Sequence, residues 1–77
     1  MKKLKYYYME VCPFCKKVGK YLKDNNIDVE MVDILADQKN NEELISLGGK
    51  DQVPMLLIDG EPLYESDAII AWLKENI

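Results

Sequence analysis

At Cys12 the hydrophobic period of the chain changes from that of a strand to that of a helix, which constrains the architecture more than any other feature. Before it, Leu4 to Met9 places Tyr6 and Tyr8 on one face and Tyr7 and Met9 on the other. Apolar residues on both faces predict a central strand covered from two sides. From Pro13 onward, Phe14, Val18, Tyr21 and Leu22 recur at helical spacing, and Asp24-Asn25-Asn26 stops the helix. Ile27 to Ile34 then alternates again, Ile27, Val29 and Met31 against Asp28 and Glu30, and reads as a second strand. A strand, a helix and a strand in this order are expected to form a parallel pair with a right-handed crossover. The fold class is α/β.

The same junction carries chemistry. Cys12-Pro13-Phe14-Cys15 holds the only two cysteines of the 77 residues, spaced as a dithiol that can close into a disulfide and reopen. The attacking species in such exchange is the thiolate, so the site must stabilise it. Pro13 suits the first helical position, which puts Cys12 at a helix N-terminus beside unpaired backbone N–H groups. Lys16 and Lys17 add positive charge nearby, and Glu10 opposes them. This pattern predicts Cys12 as nucleophile and Cys15 as resolving thiol. A structural zinc site would need four ligands, and the chain has no histidine and no second cysteine pair, so no metal is expected. A permanent disulfide across so short a loop would constrain the unfolded chain little. Two inert buried cysteines are the remaining alternative.

Length and charge bound the rest. Seventy-seven residues suit one domain, residues 1–77, with one core, and no repeat or linker interrupts them. Ten basic against fourteen acidic residues give a net charge of −4, which speaks against a nucleic-acid surface. The basic start Met1-Lys2-Lys3-Leu4-Lys5 lacks the apolar run of a signal peptide, and no stretch approaches the roughly 20 apolar residues that span a bilayer. A soluble, cytoplasmic monomer is expected, and in that compartment a Cys-x-x-Cys pair points to redox or metal chemistry.

Asn40 followed by Glu43 resembles a capping box opening a short helix with Leu44, Ile45 and Leu47, closed by Gly48-Gly49. Met55 to Ile58 reads as a buried strand, Asp59-Gly60 as a hairpin turn, and Glu61 to Tyr64 as the antiparallel return. Pro62 makes that return an edge strand. Ser66 is placed as the cap of a last helix with Ile69, Ile70 and Leu73 as its apolar stripe beside Trp72. The expected order is β-α-β-α-β-β-α.

Three segments, Cys12-Pro13-Phe14-Cys15, Gln52-Val53-Pro54 and Ser66-Asp67, together resemble the glutaredoxins. The resemblance covers nearly the whole chain. It implies the minimal thioredoxin fold, a four-stranded mixed sheet flanked by three helices, and glutathione-dependent thiol–disulfide exchange. It also implies a cis bond before Pro54, against the dithiol, with the Val53 backbone pairing to the cysteine of bound glutathione. The N-terminus of the last helix would take the γ-glutamyl carboxylate at Ser66, and Asp67 the γ-glutamyl ammonium. The glutathione-binding set is thus Pro13, Phe14, Val53, Pro54, Ser66 and Asp67, with glutathione as co-substrate and glutathionylated or disulfide-containing proteins as partners.

The chain departs from the glutaredoxin pattern in four places. Phe14 replaces a tyrosine, Gln52 a threonine, and Leu63-Tyr64-Glu65 a glycine pair. Met9 stands where many members carry a basic residue near the glycine carboxylate of glutathione, leaving Lys39 and Lys50 as candidates for that role. Glu65-Ser66-Asp67-Ala68-Ile69 also resembles the glutathione-binding stretch of glutathione transferase N-terminal domains. Two other functions stay open: a thioredoxin-like donor recycled by a flavin reductase, and a carrier bridging an iron–sulfur cluster between two copies.

Overall fold

The computed structural model describes residues 3–77. Its elements are β1 (Leu4–Tyr8), α1 (Pro13–Asp24), β2 (Glu30–Asp33), α2 (Gln38–Gly48), β3 (Met55–Ile58), β4 (Glu61–Tyr64) and α3 (Ser66–Asn76), in the order the sequence predicts. They build one mixed sheet ordered β2-β1-β3-β4. β1 and β2 run parallel, whereas β1–β3 and β3–β4 are antiparallel. This is the minimal thioredoxin fold.

The tyrosine run explains why β1 lies inside. Tyr6 packs with Val18, Leu22, Leu56, Ile69 and Leu73 beneath α1 and α3. Tyr7 points the other way, into a cluster with Val32, Ile34, Leu44, Met55 and Leu57 beneath α2. Both rings are fully buried, so each hydroxyl needs a partner. Tyr6 Oη donates to the Cys15 carbonyl at 2.7 Å, fastening the first turn of α1 to the sheet. Tyr7 Oη donates to Glu43 on α2, whose Oε1 also accepts from Lys5 Nζ at 2.9 Å. The Tyr7 and Lys5 donors hold the Glu43 carboxyl below the usual range, while burial pushes Tyr7 up to about 12.

Asp59 (φ 50°) and Gly60 (φ 90°) form the hairpin between β3 and β4, and Pro62 lies on the edge strand. Gly49 ends α2 in the left-handed region at φ 82°, its N–H bonded to the Ile45 carbonyl.

Four local expectations are corrected. The second strand is Glu30–Asp33, not residues 27–34, and its inward residue is Val32; Met31 remains 49% exposed. Met31 pairs opposite Tyr6, but it borders an open cleft facing Gly19 of α1, which brings no side chain to cover it. Ile27 and Val29 pack against the Tyr6 cluster from the connection that precedes the strand. In α1 the buried stripe is Cys15, Val18 and Leu22, and Phe14 is 64% exposed: one position along the helix turns the aromatic ring outward. The cap of α2 is Asp37, whose Oδ1 accepts from Lys39 N at 2.9 Å; Asn40 lies within the helix and its amide donates to the Asp33 carbonyl. Ser66 is likewise the first residue of α3. Glu65 occupies the cap position at φ 72°, and no side chain caps this helix. Ile45 and Leu47 are each 41% exposed, leaving Leu44 as the one fully buried apolar residue of α2.

Candidate functional site

Cys12 is the N-cap of α1, in extended geometry (φ −84°, ψ 118°), with Pro13 opening the helix behind it. Its Sγ accepts a hydrogen bond from the Cys15 backbone N–H at 3.3 Å. A helix of this start leaves N–H groups without intrahelical partners, and here one of them is aimed at sulfur. The sequence rule that places an N-cap thiol before Pro is thus met in three dimensions. Among the described residues both cysteines are free thiols, Cys12 partly exposed and Cys15 buried.

The two thiols differ in environment. Burial pushes the Cys15 thiol up to about 11, and the neighbouring Cys12 sulfur adds to that shift while a Met9 backbone contact opposes it. Raising the value of an acid keeps it protonated, so Cys15 stays a neutral thiol through physiological pH. At about pH 8, one equivalent of iodoacetamide is therefore expected to alkylate Cys12 and spare Cys15, with Cys15 labelled only as pH nears its own value. Peptide mass mapping reads the result, and equal labelling of the two at the lower pH would contradict it.

Cys12 opens into a cleft of about 710 Å³ between the end of β1, the start of α2 and the segment ahead of β3. The bond between Val53 and Pro54 is cis, as the motif implied. Val53 lines this cleft and also a second, smaller one of about 280 Å³ that runs to Phe14, Ser66 and Asp67. The two hollows share Gln52 and Val53. The structure therefore brings Cys12, Phe14, Val53, Pro54, Ser66 and Asp67 to one end of the molecule, three segments far apart in sequence. Pro13 is exposed beside them.

The details differ from expectation at the α3 end. Ser66 is buried in the first turn of α3, where no side chain caps the helix and the first backbone N–H groups lack intrahelical partners. Asp67 is not free but forms an ion pair with Lys17 of α1. Both partners are exposed, and a pair of this kind contributes about 0–1 kcal/mol, so a competing ammonium can exchange for the lysine. Glu65, accepting from Gln52 Nε2 at 3.3 Å, adds a second carboxylate, named in the sequence only within the stretch that resembles glutathione transferase N-terminal domains and not among the expected site residues. Its signal was present in the Glu65-Ser66 step, but nothing in the residue types announced a positive φ without glycine.

Among the described residues, none that lines the other end is a cation. Met9 lines it as expected, together with Gln38, Asn41 and Asp51. Lys39 and Lys50, the candidates for a carboxylate anchor, do not line it, and Lys50 Nζ lies 4.2 Å from the centre of the Tyr64 ring. Asp51 was passed over in the sequence although it stands directly before Gln52-Val53-Pro54.

Among the described residues no group of three or more histidine, cysteine or acidic side chains is placed to hold a metal ion. No helix among them is long and apolar enough to cross a membrane.

Comparison with known proteins bears on these features. A family model described as glutathione S-transferase, N-terminal domain, matches residues 7–77. A Clostridium pasteurianum protein, described as an uncharacterized glutaredoxin-like 8.6 kDa protein in a rubredoxin operon, is 44% identical over 57 residues, covering 74% of this chain and 76% of that one. Glutaredoxin 3 of Escherichia coli (strain K12) is 25% identical over 71 residues, 92% of this chain and 86% of its own. The crystal structure of the thioredoxin-like protein BC3987 superposes with a TM-score of 0.80 at 28% identity, covering 97% of this chain and 100% of that one.

Proposed function

From the premise that this chain is a glutaredoxin-like protein and a member of the family described as glutathione S-transferase, N-terminal domain, we propose that it is a glutathione-dependent thiol–disulfide oxidoreductase. The observation that carries the reading is the Cys12 sulfur itself. It receives the Cys15 N–H at the head of a helix and opens into a cleft walled by Gln52 and Val53, which also wall the smaller hollow at the α3 N-terminus.

In this mechanism the Cys12 thiolate attacks the glutathione sulfur of a protein–glutathione mixed disulfide. The new bond joins Cys12 to glutathione, and the electron pair of the old bond leaves on the protein thiolate, which takes up a proton. The Val53 backbone aligns the glutathione cysteine, and Pro13, Phe14 and Pro54 supply the walls around it. Backbone N–H groups at the head of α3, around Ser66, receive the γ-glutamyl carboxylate, while Asp67 exchanges Lys17 for the γ-glutamyl ammonium. A second glutathione thiolate then attacks the glutathionyl sulfur, releasing oxidised glutathione and the Cys12 thiolate. With a protein disulfide as substrate, Cys15 attacks the Cys12 mixed disulfide instead and closes the intramolecular bond. Its raised pKa makes it a poor nucleophile until the approach of a base or of solvent removes the proton. Dithiol centres of this family poise near −200 to −230 mV, suited to exchange with a glutathione pool.

The test is the reduction of a glutathione mixed disulfide, coupled through glutathione reductase to NADPH oxidation. Turnover that saturates with glutathione supports the reading. A Cys12–Cys15 disulfide that glutathione leaves oxidised, while a flavin-dependent thioredoxin reductase reduces it, would replace it with a thioredoxin-like donor. The cation-free end of the cleft is the observation that favours that second reading.

A further inference from the structure

The larger cleft has a direction. If glutathione or any cysteine-containing chain pairs with Val53 and presents its sulfur to Cys12, its N-terminal flank runs towards Ser66 and Asp67. Its C-terminal flank must then run the other way, past Met9 towards Gln38, Asn41 and Asp51. Among the residues lining that end Asp51 is the one carboxylate, and no lysine is there. Its carboxylate accepts from the Asn41 amide at 3.0 Å, a contact that fixes its place without neutralising it. Of the nearby cations Lys17 pairs with Asp67 and Lys50 lies over Tyr64, and neither they nor Lys16 and Lys39 are among the residues lining this end. The rest of the wall, Gln38, Asn41 and Gln52, is neutral carboxamide, which suits a continuing peptide chain.

We propose that Asp51 is a specificity-determining residue that makes this end of the cleft select disulfides whose cysteine is followed by a neutral or basic chain, and disfavour the free glycine carboxylate of glutathione. This rests on the oxidoreductase reading above and names its substrate class: cysteines within polypeptides, with a lysine or amide on the C-terminal side. Glutathione remains a usable reductant through its γ-glutamyl end, while its glycine end meets a like charge.

The reaction for the test is oxidation of the reduced protein by a small disulfide, in which the two thiols of Cys12 and Cys15 give up two electrons and two protons, and the disulfide is reduced to two thiols. Three oxidants are compared at low salt: oxidised glutathione, its bis-glycinamide, and the analogue with lysinamide in place of glycine. A surface charge contact of this size is worth about a fivefold rate difference, so the amide is expected to react about fivefold faster than the acid, and the lysinamide faster again. High salt compresses the series. Asp51→Asn is expected to bring acid and amide within about twofold, and Asp51→Lys to reverse their order, as an electrostatic role requires and a merely structural one does not. Glu75→Gln, an equal change in net charge in the last turn of α3, leaves the wild-type ratio unchanged. An acid that reacts as fast as the amide in the wild type, or a ratio that Asp51→Lys does not move, overturns the proposal while leaving the oxidoreductase reading intact. Failure of all three disulfides to oxidise the dithiol overturns both.

Discussion

Cys12→Ser is expected to abolish turnover of a glutathione mixed disulfide, by about three orders of magnitude or more, because the hydroxyl that replaces the thiolate cannot form the covalent intermediate. Cys15→Ser is expected to keep most of that turnover, since the glutathionyl group on Cys12 is removed by glutathione and needs no second protein thiol. The same variant should lose reduction of a protein disulfide, where closure of the Cys12–Cys15 bond is the step that releases product. The asymmetry follows from the geometry: Cys12 is the partly exposed N-cap facing the cleft, and Cys15 is buried, with its carbonyl tied to Tyr6. Rates from the coupled NADPH assay check it. Equal loss in the two variants would mean that the monothiol route does not operate.

The largest expected effect on stability lies away from the thiols, at Gly48→Ala. Gly48 is the last residue of α2, and a Cβ there would fall 1.8 Å from Tyr64 Oη and 3.0 Å from both Tyr64 Cζ and Met55 Sδ. The ring belongs to β4 and Met55 is fully buried, so the Tyr64 side chain or the end of α2 must shift. Overpacking of this kind costs about 1–3 kcal/mol. In a chain of this length that is a drop of roughly 5–20 °C in Tm. The Tyr64 hydroxyl itself is buried with no hydrogen-bond partner among the described residues, so Tyr64→Phe alone is expected to stabilise by about 1 kcal/mol. Removing that oxygen also removes the shortest contact, so the double variant should be more stable than the sum of the singles by about 1 kcal/mol or more. Urea unfolding of the four proteins measures the coupling, and strict additivity would contradict the contact.

Much of this architecture was legible because the decisive signals are local. The period change at Cys12, the tyrosine run of β1 and the Asp59-Gly60 turn each act within a few residues, and together they fix the order of elements. Local signals also misled where two candidates stood side by side. Asp37 and Asn40 are both good caps; the helix begins at Gln38, so Asp37 Oδ1 accepts from Lys39 N while Asn40, inside the first turn, donates its amide to the Asp33 carbonyl. Phe14 and Cys15 are both apolar, and the turn of α1 against the sheet buries the smaller one. The site was legible as motifs but not as electrostatics. Lys17 meets Asp67 across 50 positions, and Glu43 meets Lys5 and Tyr7 across 38 and 36. No spacing rule reaches contacts of that kind. Asp51 escaped for the same reason: its contact with Asn41 and its place in the cleft wall are tertiary features.

The measurement that tests the account most directly is the mass of the Cys15→Ser protein after exposure to oxidised glutathione. With the second thiol removed, the mixed disulfide has no internal route to closure and should accumulate. One glutathionyl group per chain, mapped to the peptide carrying Cys12 and removed by added glutathione, is the predicted result. A protein that stays unmodified while small-molecule alkylating agents still reach Cys12 would contradict the claim that this cleft presents Cys12 to glutathione.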